Sequence, residues 1–448
     1  MQSDMFGKCR AYINEALTFA IIISIGLLPL IATQGLKTLL WLLILSSLFN
    51  KDFVTNIKSN SLILITCMQY PLVHLLIEFI STNGPNGTGY SASVFAPWLF
   101  GIIAIILCAG FFQYKTVDRI IKYAIPVGFI ITFAYLSYQY VVTNGSKVEP
   151  TGVGGLFYFI TSLLMTHFAF YYLFDLSKKW SKNFLLTFIM IAFILIVSLI
   201  FTQTRGILIA QVFTIVIMSF VFFRNLGLYS AYPLIASVFI VFISGLSYLV
   251  MFNSGATSRL YNIVQAVHVL KSYESASKNT QNTDTSFVGS ILEKSADLMD
   301  YTAQKIEGSG GRRLEMWSVA TKEIASNPMK VRGTSGETNL LSKDNKLQRH
   351  SHVHNMYLSW YLWGGPISLI SGVLFMATPL LIYIFDKPIK VSNIYLPLSL
   401  TLFWGISMIF DSFLRHAGVF HIYIPLIFLT CWATQHQNNI APKFERRN

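Results

Sequence analysis

The chain has 448 residues, of which 54% are hydrophobic, 15% aromatic and only 12% charged. A water-soluble protein carries about twice that share of charge, so a soluble multidomain enzyme is excluded and the solvent for most of the chain is lipid. The net charge of +13 would suggest nucleic-acid binding in a soluble protein, but in an apolar chain the placement of the cations matters more than their sum, and no nucleic-acid partner is expected. Cys67, Cys108 and Cys431 lie in apolar runs and Cys9 in the N-terminal tail, a pattern that shows neither a disulfide framework nor a cysteine metal site.

Apolar stretches of roughly 17 to 25 residues suffice to cross a bilayer as helices. The first predicted span covers 14–33. It follows Lys8 and Arg10 as a signal peptide would, yet it is long, lacks a small-residue cleavage site and runs on into another apolar segment, so it is read as an uncleaved helix. Further spans are predicted over 36–49, 61–81, 94–112, 121–142, 154–176, 183–201, 207–223, 229–252, 355–385, 393–410 and 416–436, with a bend in the tenth near Gly364, Gly365 and Pro366. The expected fold class is therefore an all-α integral membrane protein with about twelve transmembrane helices. With both termini in the cytoplasm, sixteen Lys and Arg fall in cytoplasmic segments, against Lys37, Lys147, Arg205 and Arg415 in the opposite short loops. That bias sets the orientation.

The organisation divides into nine spans over 1–252, one large extracytoplasmic loop over 253–353, and three spans with a C-terminal tail over 354–448. Within the loop, Phe287, Ile291, Leu298 and Ile306 predict an amphipathic helix ending at Gly308. Leu314, Trp317 and Ile324 predict a second one, ending before Pro328. The stretch from Asn279 to Ser286 between spans and helices is Thr/Asn/Asp/Ser-rich, and the loop is expected to fold back over the membrane mouth.

The topology sends four groups of polar residues to one membrane face. Arg205, in Thr202-Gln203-Thr204-Arg205-Gly206, fits an interface anchor or an anion-binding group. Arg312 and Arg313 open the second loop helix, and Arg313 shares a face with Trp317, an arrangement suited to anion binding or to plain amphipathic packing. His350, His352 and His354 alternate before the tenth span, where they could act as metal ligands, as a general base, or with one of them capping the next helix. No carboxylate or thiol stands beside them, which speaks against the metal, and a neutral histidine serves equally as hydrogen-bond donor or general base. Asp411 and Arg415 in the last outer loop fit either a mutual pair or members of the site, while Glu78 and Asp175 are read as structural. Guanidinium groups bind phosphate oxygens bidentately, so a lipid-linked phosphate or diphosphate is the simplest anion for such a face.

At these residues the chain resembles the O-antigen ligase and O-antigen polymerase superfamily of bacterial membrane glycosyltransferases. The resemblance rests on Thr202 to Gly206, Arg313 to Trp317 and His354 to Leu358, in that order on a twelve-span topology with a large loop before the tenth span. It implies an enzyme of the bacterial inner membrane that transfers a glycan from an undecaprenyl-diphosphate donor to an acceptor on the periplasmic side. The Thr-Gln-Thr-Arg form looks more like the ligases, in which the acceptor is the lipid A-core of lipopolysaccharide. An O-antigen polymerase or a protein O-oligosaccharyltransferase of the same superfamily is the alternative, and a lipid-linked oligosaccharide flippase a more distant one. On the ligase reading, Arg205 and Arg313 hold the diphosphate and His354 is the catalytic base. Arg415, Asp411, Arg312 and His352 are lesser candidates, beside the diphosphate groups or at the acceptor. A lipid diphosphate is an activated donor, so neither a metal nor another cofactor is expected.

Overall fold

The computed structural model describes residues 2–83, 92–143, 210, 213–214, 216–218, 287–305, 309–385, 394–410, 412 and 417–440. The sixth, seventh and ninth predicted spans and the Asn279–Ser286 stretch lie outside the described residues, as does most of the eighth span. All regular structure among the described residues is helical: α1 (Gln2–Gly26), α2 (Leu28–Phe49), α3 (Phe53–Ser59), α4 (Ser61–Asn83), α5 (Ala92–Phe111), α6 (Tyr114–Arg119), a π-turn (Ile120–Ala124), α7 (Ile125–Val142), α8 (Phe287–Lys305), α9 (Ser309–Ser326), α10 (Gly333–Ser342), α11 (Met356–Met376), α12 (Thr378–Phe385), α13 (Tyr395–Phe410) and α14 (Ala417–Ile440). Three of these are long and apolar enough to cross a membrane, over Ser61–Thr82, Val94–Phe111 and Met356–Met376. Thr38–Phe49 and Phe53–Ser59 qualify together but are bent by 110° at the break between them.

Several boundaries move from where hydropathy places them. The first break falls at Leu27, not at residues 34–35, so Lys37 lies within α2 and not in a loop. Pro29 explains the position: in the first turn of α2 its missing N–H costs nothing, whereas further along it would interrupt a continuing α1. Similarly, the tenth predicted span over 355–385 is two helices, divided at Ala377, with Pro379 in the first turn of α12.

The predicted bend within α11 is present. Gly364 (φ −151°, ψ 27°) and Gly365 (φ 64°, ψ −152°) leave helical geometry just before Pro366. Only glycine adopts the Gly365 conformation without a steric penalty. The carbonyl of Trp363 that the break exposes accepts the backbone N–H of Arg332 at 2.9 Å, so the segment before α10 plugs the kink.

Helices in lipid gain little from hydrophobicity against one another and rely on close packing and interhelical hydrogen bonds, the latter worth about 0.6 kcal/mol each on average. α4 and α11 show both. Ser371 Oγ donates to Gln69 Oε1 at 2.7 Å, and Gln69 Nε2 donates to the Ser371 carbonyl at 3.0 Å. His74 Nδ1 lies 2.9 Å from the Tyr70 carbonyl and must donate to it, which leaves Nε2 to accept from Ser368 Oγ at 3.0 Å. Around this polar seam the rings of Tyr70, His74, Trp98, Trp363 and Phe375 pack face and edge.

A second, smaller apolar cluster sits beside the bundle. The hairpin of α8 and α9 buries Met316, Ala320 and Ile324, one helical turn apart, against Leu341, Leu347, Val353 and Leu362. Lys322 of α9 ties the two helices of the hairpin together, pairing with Asp300 of α8 and, at 3.8 Å, with Asp297. The two amphipathic helices thus run close to their predicted bounds, with α9 ending before Pro328.

Candidate functional site

The C-terminal end of α4, the kink of α11 and the C-terminal end of α13 form one end of the bundle, and the loop elements α9 and α10 dock there. The docking runs through backbone groups. Glu78, on α4, accepts the N–H of Thr334 at 2.9 Å through Oε1. Gly333 makes that approach possible, because its φ of +65° suits glycine and a side chain there would collide with Ser81 and Glu78. Arg332 fixes the preceding turn by pairing its Nη2 with Glu323 Oε1 at 2.6 Å and donating Nη1 to the Lys330 carbonyl at 2.9 Å.

The same face carries two of the three residues assigned principal roles from sequence. Arg313 reaches from α9 to α13, where Nη1 donates to the Phe410 carbonyl at 2.9 Å. A helix C-terminus is the electronegative end of its dipole, so a guanidinium is at home there. This bond uses one of five guanidinium donors. Trp317, one turn along α9, donates Nε1 to the Val353 carbonyl at 2.8 Å. One helix therefore touches both the end of α13 and the histidine segment, through the two side chains that share a face. Arg205, Asp411 and Arg415 lie outside the described residues.

The histidine segment is a bend and not an extended strand. His354 has φ of +54°, the one non-glycine residue with positive φ among those described. Such a conformation costs an L-residue roughly 1 to 2 kcal/mol and persists only where neighbours impose it. It breaks the regular alternation that the metal-ligand alternative assumed, placing the His352 and His354 rings 3.9 Å apart between centroids and His350 and His354 6.3 Å apart. Among the described residues, no three His, Cys, Asp or Glu side chains gather as a metal site. Partial burial, reinforced by the charges of His354, Arg312 and His352, holds the His350 imidazole below its ordinary value. Arg312, exposed on α9, thus lies within electrostatic reach of the histidines.

The cap of α11 is Asn355, not a histidine. Its Oδ1 accepts from the Tyr357 and Leu358 N–H groups at 3.1 and 3.2 Å, which frees all three imidazoles from the capping role. Beyond it, Tyr357 donates its hydroxyl to the Gly405 carbonyl at 2.8 Å and fastens α11 to α13.

Sequence reasoning passed over the group at the centre of this arrangement. Glu337 of α10 has no exposed surface, and its carboxylate accepts three donors: the Val353 N–H at 2.6 Å, Ser359 Oγ at 2.8 Å and Trp363 Nε1 at 3.1 Å. Ser359 Oγ also lies 2.9 Å from Ser412 Oγ, just past the end of α13. In the sequence Glu337 is one acid within a polar loop, with no spacing that sets it apart from Glu315 or Glu323. Its partners all lie between Val353 and Trp363, 16 to 26 residues further along the chain, and only the folding of that stretch back onto α10 marks it. No protein-family model matches this chain, and no curated protein matches it.

Proposed function

We propose that the chain is a membrane glycosyltransferase of the O-antigen ligase type, which moves a glycan from undecaprenyl diphosphate to lipid A-core on the periplasmic face of the bacterial inner membrane. The observation that carries this reading is the reach of α9. Through Arg313 and Trp317 it joins the end of α13 to the segment that carries the strained His354, at one end of a bundle of apolar helices. An anion carried by a lipid presents its phosphates at that level of a membrane. The full architecture in this reading has about twelve spans, both termini in the cytoplasm and the α8–α9 hairpin in the periplasm.

Chemically, the acceptor hydroxyl oxygen attacks the anomeric carbon as the bond from that carbon to the diphosphate oxygen breaks. His354 takes the hydroxyl proton, and undecaprenyl diphosphate leaves with the bonding electron pair. Arg313, with Arg205, stabilises the charge that grows on the leaving oxygen. Direct displacement inverts the anomeric centre.

Deletion of the gene tests the reading in cells. A ligase mutant accumulates long polymer on the lipid carrier and displays bare lipid A-core. A mutant that still caps the core with one repeat unit identifies a polymerase instead. Orientation has its own test: alkaline phosphatase fused near Thr283 is active if the loop is periplasmic, and a stably expressed but inactive fusion overturns the topology and the site with it.

A further inference from the structure

We propose that Glu337 is a positioning residue for the candidate base. Its buried carboxylate holds the peptide that carries His354 and ties it to the end of α13 where Arg313 docks; this rests on the transfer reading above.

Three observations combine. First, the N–H of Val353 donates to Glu337 Oε1 at 2.6 Å, so the carboxylate grips the His352–Val353 peptide, one residue ahead of His354. His354 is where the backbone turns left-handed, a conformation that needs an external hold. Second, the other side of Val353 is also held, since its carbonyl accepts from Trp317 of α9. A residue bonded at both its N–H and its C=O leaves little freedom to the one that follows. Third, the same Oε1 accepts from Ser359, whose hydroxyl meets Ser412, two residues past the Phe410 carbonyl that receives Arg313. The carboxylate thus links, through one serine pair, the two side chains that the proposed transfer requires at a common distance from one diphosphate. The three bonds of the carboxylate described here go to Val353, Ser359 and Trp363, so the effect they exert on the reaction passes through His354 and the end of α13.

A carboxylate is suited to this in a way an amide is not. Both oxygens accept donors here, Oε1 from Val353 and Ser359 and Oε2 from Trp363. Glutamine supplies one acceptor oxygen, and its NH₂ must then face either the Trp363 N–H or the Val353 N–H, donor against donor. The Glu337→Gln change is nearly isosteric and still breaks the hold.

The test uses the full-length protein in lipid nanodiscs and reads His354 without assuming any transfer. Carbethoxylation of each histidine by diethyl pyrocarbonate, followed by peptide mass spectrometry across pH 5 to 8, reports the exposure and basicity of that imidazole. Glu337→Gln is expected to change the rate or the pH midpoint at His354 several-fold relative to the unaltered protein. With lipid-linked donor, it should lower kcat and leave the donor KM nearly unchanged. Labelling at His354 that is the same in both proteins overturns the positioning role, whatever the transfer rate. Altered labelling in a protein that never transfers glycan sustains the role and removes the transfer reading instead. A second comparison covers poor folding of the variant. If Glu337 serves to hold His354 left-handed, His354→Gly relieves that need, and Glu337→Gln should then lower Tm by clearly less than it does alone. Equal losses on both backgrounds overturn the proposal. Where Glu337→Gln alone fails to accumulate, restored accumulation on the His354→Gly background supports it, and none overturns it.

Discussion

The two ends of the helical bundle meet the same requirement with different chemistry. Where α5 ends, its last carbonyls need donors, and asparagines from nearby in the fold provide them. Asn56 Nδ2 donates to the Gly110 carbonyl at 2.9 Å, and Asn60 Nδ2 to those of Ala109 and Phe112 at 2.7 and 3.1 Å. Asn60 Oδ1 in turn accepts from Trp432 of α14 at 2.8 Å. Both asparagines are buried, their groups are neutral, and no backbone strain accompanies them among the described residues. The one guanidinium that caps carbonyls there among the described residues, Arg10 on Phe49 and Leu48, is exposed. At the other end the ionisable groups are partly or fully buried: Arg313 on the Phe410 carbonyl, Glu78 on Thr334, and Glu337 on the His352–Val353 peptide. Strain is present there too, at His354, beside two left-handed positions that glycine fills, Gly333 and Gly365. An end that only closes a bundle can use amides at modest cost. Charge and strain cost more and persist where something besides closure depends on them, which is why the second end is the candidate site.

The sharpest way to break this comparison is to remove the candidate base. His354→Ala should reduce glycan transfer by about 10² to 10⁴-fold while donor binding survives, as expected for a lost general base. His350→Ala and His352→Ala should stay within a few-fold of the unaltered rate. Transfer assays beside donor binding decide, and normal turnover in His354→Ala would leave the charged end without its chemistry.

Next in size is Arg313→Lys, which keeps the charge and loses the planar fork. Hydrogen bonds to charged groups are worth about 1.5 to 3 kcal/mol, so turnover should fall roughly 10 to 100-fold, with protein amount preserved. A near-normal rate would remove the diphosphate clamp.

The contrast is completed at the other end by Asn60→Ala. It strips donors from two carbonyls and the acceptor from Trp432, and each buried group left alone costs about 1 to 3 kcal/mol, so Tm should drop clearly. Turnover per folded molecule should be unchanged. A specific loss of turnover there would blur the distinction between the ends.

The smallest effect concerns pH. The folded state holds the His350 imidazole below its ordinary 6.5, so the unfolded chain binds more protons as pH falls through that value. The stabilisation is present above 6.5 and is lost as pH falls through the lowered folded value. His350 is half-exposed, facing Arg312, His352 and His354, so the loss should be slight. Thermal melts between pH 8 and 5 should show a shallower slope in His350→Gln, and identical slopes would dissociate His350 from the cluster.

By itself the sequence determined the apolar helices of α4, α5 and α11, the kink at Gly364 to Pro366, and the amphipathic hairpin. Each of these follows from patterns along one segment: an apolar run, a glycine pair before proline, an apolar stripe repeating every turn. It also singled out Arg313, Trp317 and His354, because a cation, a tryptophan and a histidine are conspicuous beside apolar spans. Only the tertiary structure decided the break at Leu27, the split at Ala377, the cap at Asn355 and the left-handed turn at His354. The first two divide runs that are apolar on both sides, where hydropathy has no contrast to register. The Asn355 cap is local, filled by the Tyr357 and Leu358 N–H groups, but neighbouring histidines compete for it in the sequence, whereas the turn at His354 and the role of Glu337 depend on partners brought from elsewhere in the chain. A carboxylate acquires its role when three donors reach it in space, and no spacing within its own helix encodes that meeting.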